Sequence, residues 1–209
     1  MIRFIILFFT LVSCAGPGTY EIVFSTIRSQ LPGGKLVPVS EEFYLAQAYS
    51  FAFFKYGRKD PILLVLADID NGIYQWVSED RDSIFTDKNG MIIKTRGLNS
   101  DIFLQNFNNE GLSIGNIDKN TFYSNYYDPE LLNILSYIDQ KSSLDISYDY
   151  FVGDNVPAIQ YLVNKSVPAI KFYSEDVFVL EESNKGMLYS RQKIHPHLPY
   201  IEMRFYLKR

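Results

Sequence analysis

The strongest constraint on the fold is an alternation of period two, interrupted by tight-turn signals. Near the carboxy end, Ile201, Met203, Phe205 and Leu207 alternate with Glu202, Arg204, Tyr206 and Lys208. Leu144, Ile146, Tyr148 and Tyr150 alternate in the same way with Asp145, Ser147 and Asp149. Successive side chains of a strand point to opposite faces, so such runs specify half-buried strands. Asp70-Asn71-Gly72 and Asn89-Gly90 supply residues that tolerate the left-handed backbone of a two-residue hairpin. A chain patterned like this is expected to form an antiparallel meander.

The remaining segments extend the pattern. Tyr49–Tyr56 is aromatic and strand-prone, and Pro61–Ala67 is a near-continuous apolar run suited to a buried strand. Strands are predicted at Ile73–Ser78, Ser83–Thr86 and Met91–Thr95, then near 158–164, 168–173 and 177–182. Asn184-Lys185-Gly186 reads as a turn, followed by strands at Met187–Lys193 and Tyr200–Lys208. Residues 106–128, rich in Asn, Gly, Asp and Ser, read as a long connection. Asp128-Pro129 is expected to open a short helix through Leu131, Leu132, Leu135 and Ile138. A helical turn is also predicted over Ser40–Gln47, capped by Ser40, with Glu41 and Glu42 in its first turn. The sum is a mainly β chain of about ten strands, closing into a barrel-like or sandwich-like sheet.

The amino terminus reads as an address. Arg3 precedes an apolar run, Phe4–Val12, that is too short to span a bilayer and fits a secretory signal. Leu11-Val12-Ser13-Cys14 has the form of a lipobox, in which the thiol takes a diacylglycerol before cleavage. Cys14 is also the chain's one cysteine, so no internal disulfide and no thiolate-rich metal site can form. Lipidation at Cys14, with two or three acyl chains such as palmitate, would anchor the protein stably. Three segments follow: a signal peptide at 1–13, the lipidated cysteine and tether at 14–18, and one β-rich periplasmic domain at 19–209. Ala15 rather than Asp follows the cysteine, which under the sorting rule of enterobacterial lipoproteins directs the protein to the outer membrane. Tyr20, Val23, Phe24, Ile27 and Leu31 then trace one face of an amphipathic helix, expected to pack on the domain edge.

Charge narrows the partners. The chain carries 20 basic and 24 acidic side chains, and losing Arg3 with the signal peptide makes the balance more acidic. A nucleic-acid binder would show a basic face, so none is expected.

No reactive constellation stands out. His195 and His197 could share one side of a strand and a metal, but Pro196 and Pro199 favour a turn, and no third ligand accompanies them. No Gly-x-Ser-x-Gly elbow singles out a nucleophile. Asp68, Asp70, Glu79, Asp80 and Asp82 gather around a predicted hairpin, where acidic side chains are usually solvated. Tyr123, Tyr126 and Tyr127 lie in a polar segment that core packing does not easily explain. No catalytic residue, metal or cofactor is expected. Trp76 is expected to pack in the core of the first meander, facing away from Gln75 and Val77.

Two sets of segments carry a family resemblance. The first is Ile62–Ala67, Tyr74-Gln75-Trp76-Val77-Ser78 and Ile92-Ile93-Lys94-Thr95-Arg96-Gly97-Leu98. The second is Gly186–Gln192, with Ser190-Arg191-Gln192, followed by His195-Pro196-His197-Leu198-Pro199. With the lipobox, these resemble the YjbF/GfcB family of exopolysaccharide and group 4 capsule lipoproteins. The likeness covers most of 40–105 and 185–209. Trp76 is the one tryptophan here, where that family carries others in the carboxy half. The resemblance implies a β-rich, non-catalytic outer-membrane lipoprotein of a Gram-negative bacterium, assisting capsule or exopolysaccharide export or assembly. The implied partners are the outer membrane through the lipid anchor, and polysaccharide export proteins or the glycan itself. Trp76, Arg191 and Gln192 are candidate ligand or partner contacts, the last two on opposite faces of one strand. Two other readings of function stand beside this one: a lipid- or acyl-chain-binding carrier, favoured by a continuous apolar cavity, and a glycan-processing enzyme, favoured by a polar groove with paired carboxylates.

Overall fold

The computed structural model describes residues 36–105, 120–128, 130–184 and 186–208. The lipobox with Cys14 and the amphipathic segment 20–31 lie outside the described residues. The described chain opens on a short helix, α1 (Glu41–Ala46), capped by the Ser40 hydroxyl, which accepts from the backbone N–H of Phe43 at 3.1 Å. Twelve strands follow: β1 (Phe51–Tyr56), β2 (Ile62–Asp70), β3 (Ile73–Val77), β4 (Ser83–Thr86), β5 (Ile92–Arg96), β6 (Ile102–Gln105), β7 (Asn120–Tyr126), β8 (Leu131–Phe151), β9 (Asp154–Val167), β10 (Phe172–Glu181), β11 (Met187–Gln192) and β12 (Ile201–Tyr206). Each pairs antiparallel with its neighbour in sequence, and β1 pairs with β12 from Phe51↔Tyr206 to Tyr56↔Ile201. The meander therefore closes into a barrel.

The predicted turns have the expected chemistry. Asn71 and Gly72 both adopt positive φ, 49° and 77°, as the tight β2–β3 hairpin requires. At the β4–β5 turn the Asp87 carboxylate accepts from the N–H groups of Asn89 and Met91. Gly90 has a φ of 83°, which disfavours any side chain, and a Cβ there would stand only 3.0 Å from the Phe205 ring.

Three expectations are corrected. Leu131–Ile138 is the first part of β8 rather than a helix, paired with β7 from Tyr126↔Leu131 to Asn120↔Ile138. The segment read as a connection ends in a strand, β7. Pro168–Ile170 is a 3₁₀ turn, and β10 begins only at Phe172, after Lys171 in the left-handed region.

The interior is filled by Trp76, Ile84, Phe178, Met203 and Phe205, all sealed from solvent, with Ala52, Leu64 and Ile201. A second apolar layer lies outside the wall. β8 has 21 residues, about 70 Å of extended chain, more than the wall needs. The end of the β8–β9 hairpin folds back over the outer face. Tyr150 stacks on Tyr206 at 5.3 Å, Tyr148 meets Tyr189 at 6.4 Å, and Arg204 donates to the Asp149 carbonyl. Val152 N–H donates to the Val39 carbonyl at 2.9 Å, joining the hairpin to the segment before α1. Phe51, Phe53, Leu63 and Val65 are buried beneath this roof.

Candidate functional site

Two places in the barrel gather features that go beyond wall and filling. The first is an open recess of about 630 Å³ at the end where β1 begins and β12 ends. It is bounded by the last turn of α1 (Tyr44, Leu45), the β2–β3 hairpin (Leu66, Ile69, Tyr74), the tip of the β8–β9 hairpin, the β10–β11 hairpin and the end of the chain at Leu207 and Lys208. Lys208 holds this end together. Its backbone N–H donates to the Ser50 hydroxyl at 2.8 Å, and its ammonium stands 3.8 Å over the Tyr44 ring while donating to the Tyr44 carbonyl. The Tyr44 hydroxyl donates to the Leu207 carbonyl at 2.7 Å.

The second is a polar group inside the barrel. Val163, Lys165 and Val167 of β9 face inward, as do Phe172, Asp176 and Phe178 of β10. Lys165 is buried between the rings of Phe122 and Phe172, at 6.0 and 5.8 Å. Asp176 accepts from the Lys193 N–H at 2.9 Å. Burial pushes its carboxyl up to about 6, against the opposing pull of Lys165. Ser124 and Ser136 share a buried hydrogen bond of 2.7 Å across β7–β8. His195 packs edge-on against Tyr126 at 5.3 Å, and burial, then His197, lowers its pKa. A charged pair inside a barrel is costly, and the ring faces and the backbone donor offset part of that cost here. The inward parity of Lys165 between Val163 and Val167 was the one sequence signal for this group.

Residues 24–206 match the family described as group 4 capsule polysaccharide lipoprotein GfcB, YjbF. The chain belongs to the YjbF family. The match runs through the middle of the chain, which the motif resemblance does not reach. The fold is also similar to the crystal structure of the hypothetical lipoprotein YmcC from Escherichia coli (K12). That likeness has a TM-score of 0.62 and 19% identity, over 90% of this chain and 95% of that one. No curated protein matches the chain. The family is one of capsule lipoproteins, which fits attachment to a membrane of the cell envelope, and among the described residues no helix is long and apolar enough to cross a membrane.

The motif residues of this YjbF-family chain do not converge. Trp76 is sealed inside, its indole N–H donating to Thr86 Oγ1 at 3.0 Å and its ring 5.4 Å from Phe205. Gln192 is also inside, where its carbonyl oxygen accepts from Ile92 N–H at 2.9 Å and its amide donates to the Gly90 carbonyl at 2.7 Å. It ties β11 to the β4–β5 turn across the barrel. Arg191 points outward from the same strand, and its guanidinium lies 3.9 Å over the Tyr200 ring. His195 and His197 sit in a turn rather than on one strand face, with His197 N–H donating to His195 Nδ1 at 3.1 Å. The five carboxylates separate to opposite ends of β3: Asp68 and Asp70 at the β2–β3 hairpin, Glu79, Asp80 and Asp82 at the β3–β4 turn. At the latter, burial and then the neighbouring Asp80 and Asp101 raise the pKa of Asp82. Of the three tyrosines, Tyr126 is core, whereas Tyr123 and Tyr127 are exposed.

Proposed function

We propose that this protein is an outer-membrane-anchored periplasmic lipoprotein that assists export or assembly of a capsular or extracellular polysaccharide without catalysing a reaction itself. The observation that carries this reading is the match of residues 24–206 to the group 4 capsule polysaccharide lipoprotein family. The lipobox supports it: residues 1–13 serve as signal, Cys14 takes the lipid, 14–18 form the tether and 19–209 the periplasmic domain. Its partners on this reading are the outer membrane, through the acyl chains, and the export proteins or the glycan they handle. The placement of the motif residues also supports a non-catalytic role. Trp76 and Gln192 hold the barrel together, so the motif reads as a requirement of the fold.

Anchoring acts through effective concentration, holding the domain beside an outer-membrane partner. Surface glycan compared in three strains tests this: wild type, a deletion, and the deletion carrying Cys14→Ala. The deletion is expected to lower surface glycan while cytoplasmic precursor synthesis continues, and Cys14→Ala to complement poorly. Equal surface glycan in wild type and deletion would reject the export role.

A further inference from the structure

The recess beside α1 has a wall whose chemistry selects a ligand class. A sugar is held by hydroxyl partners, so a glycan site must present polar atoms that are still available. Here several of them are engaged within the protein. The Ser50 hydroxyl accepts from Lys208 N–H and the Tyr44 hydroxyl donates to the Leu207 carbonyl. Asn184 Oδ1 accepts from Gly186 N–H at 2.7 Å, and Glu181 Oε1 accepts from the Ser183 hydroxyl at 3.0 Å. Most of the surface facing the space is hydrocarbon. Leu45 and Ile69 at the rim are 64% and 52% exposed, and Leu66, Met187 and Leu207 line the same recess. Apolar side chains left uncovered around a concavity gain free energy when an apolar group fills it.

Lys208 adds the other half of the argument. Its ammonium is fixed by the Tyr44 ring and by the carbonyls of Tyr44 and Leu45 at the end of α1, the second at 3.5 Å. All three of those partners are neutral, so they position the charge without cancelling it. The arrangement is a positioned cation at the mouth of an apolar hollow.

We propose that the recess binds an anionic amphiphile, with an acyl chain against Leu45, Leu66 and Ile69 and a carboxylate or phosphate on Lys208. This goes beyond the capsule reading and does not rest on it, so an unchanged surface glycan in the deletion strain leaves it standing.

Trp76 is a built-in reporter. It is the chain's single tryptophan, and its ring stacks 6.4 Å from Tyr74, which lines the recess. The test places the full chain in phosphatidylcholine vesicles and titrates brominated acyl probes, whose bromine atoms quench tryptophan fluorescence at short range. Dibrominated stearate is expected to quench saturably. Its methyl ester, lacking the charge, is expected to bind about tenfold more weakly, the size of one lost charge-assisted hydrogen bond. Lys208→Gln is expected to weaken stearate to the level of the ester and leave the ester unchanged. Ile69→Asp, at an exposed position on the rim, is expected to abolish saturable quenching by both. Brominated lysophosphatidylglycerol distinguishes the head group: tighter binding than stearate assigns a phosphate, weaker binding a carboxylate. Quenching that rises without saturation and is equal in wild type, Lys208→Gln and Ile69→Asp would overturn the proposal. So would displacement of the probe by an acidic oligosaccharide that carries no acyl chain.

Discussion

The two outer faces of the barrel are built on opposite plans. Around β1, β2 and β12 the wall is apolar on both sides. Ala52 and Phe54 fill the interior while Phe51 and Phe53 point outward, yet the outward pair is buried as well because α1 and the β8–β9 hairpin cover it. Around β6, β7 and β8 none of the described residues forms such a layer. Phe103, Tyr123 and Leu135 point outward and remain 37%, 41% and 38% exposed, while Ser124 and Ser136 point inward. Farther along, Lys165 and Asp176 also face inward. The difference teaches that strand alternation reports what lies on each side of a wall, not which side is inside. A roofed strand reads as continuously apolar. A bare strand over a polar interior can place its apolar residues in water.

The comparison breaks first at the roof. Phe51→Ala is expected to cost about 3–5 kcal/mol, as for a buried aromatic truncated in a packed layer, read as a fall in the urea midpoint. An unchanged midpoint would mean that the hairpin does not cover β1. Arg204→Ala is expected to cost about 2–3 kcal/mol, because it removes the hydrogen bond to the Asp149 carbonyl and the guanidinium packed 4.8 Å over Tyr148. Loss of protection against proteolysis near Tyr148 should accompany it.

The polar interior is sharpened by pH. Asp176 titrates near 6 in the folded chain against an ordinary 3.8, so its contribution is full in acid and is lost as pH rises through about 6. Relative to wild type, Asp176→Asn should therefore gain about 2 kcal/mol as pH rises from about 4 to 7. His195 has the opposite sign. Its pKa is held below 6.5, so its contribution is full above that value and is lost on acidification, and His195→Gln should gain on wild type as pH falls. Parallel pH profiles for wild type and both variants would remove these groups from the interior. The smallest effect belongs to the bare face. Phe103→Ala and Tyr123→Ala should each shift stability by less than about 1 kcal/mol, and a loss matching Phe51→Ala would mean that this face is covered too.

The same contrast decides what the sequence made legible. The first meander and the last strand were readable because turn chemistry and apolar pattern agreed there: Asn71-Gly72 is a hairpin, and Pro61–Ala67 is buried on both sides over Leu63–Val65. The wall from β7 to β8 was not. Leu131, Leu132, Leu135 and Ile138 have helical spacing because Leu135 faces out and Ser136 faces in, which erases the period of two. The hydroxyl pair with Ser124 that makes this tolerable is a contact between strands, visible only once they pair. The recess was equally hidden, since α1, two hairpins and the end of β12 meet only in space. The Trp76 and Gln192 positions were legible as important, but their role was not, because the partners Thr86, Ile92 and Gly90 are fixed by closure of the barrel. Cys14 carries its chemistry in the lipobox alone.

Hydroxyl-radical footprinting of the folded chain, read residue by residue, tests the two-faced barrel most directly. Phe103, Tyr123 and Leu135 should oxidise readily, while Phe51, Phe53 and Tyr206 stay protected until the chain unfolds. Equal oxidation of the two sets in the folded protein would contradict the account.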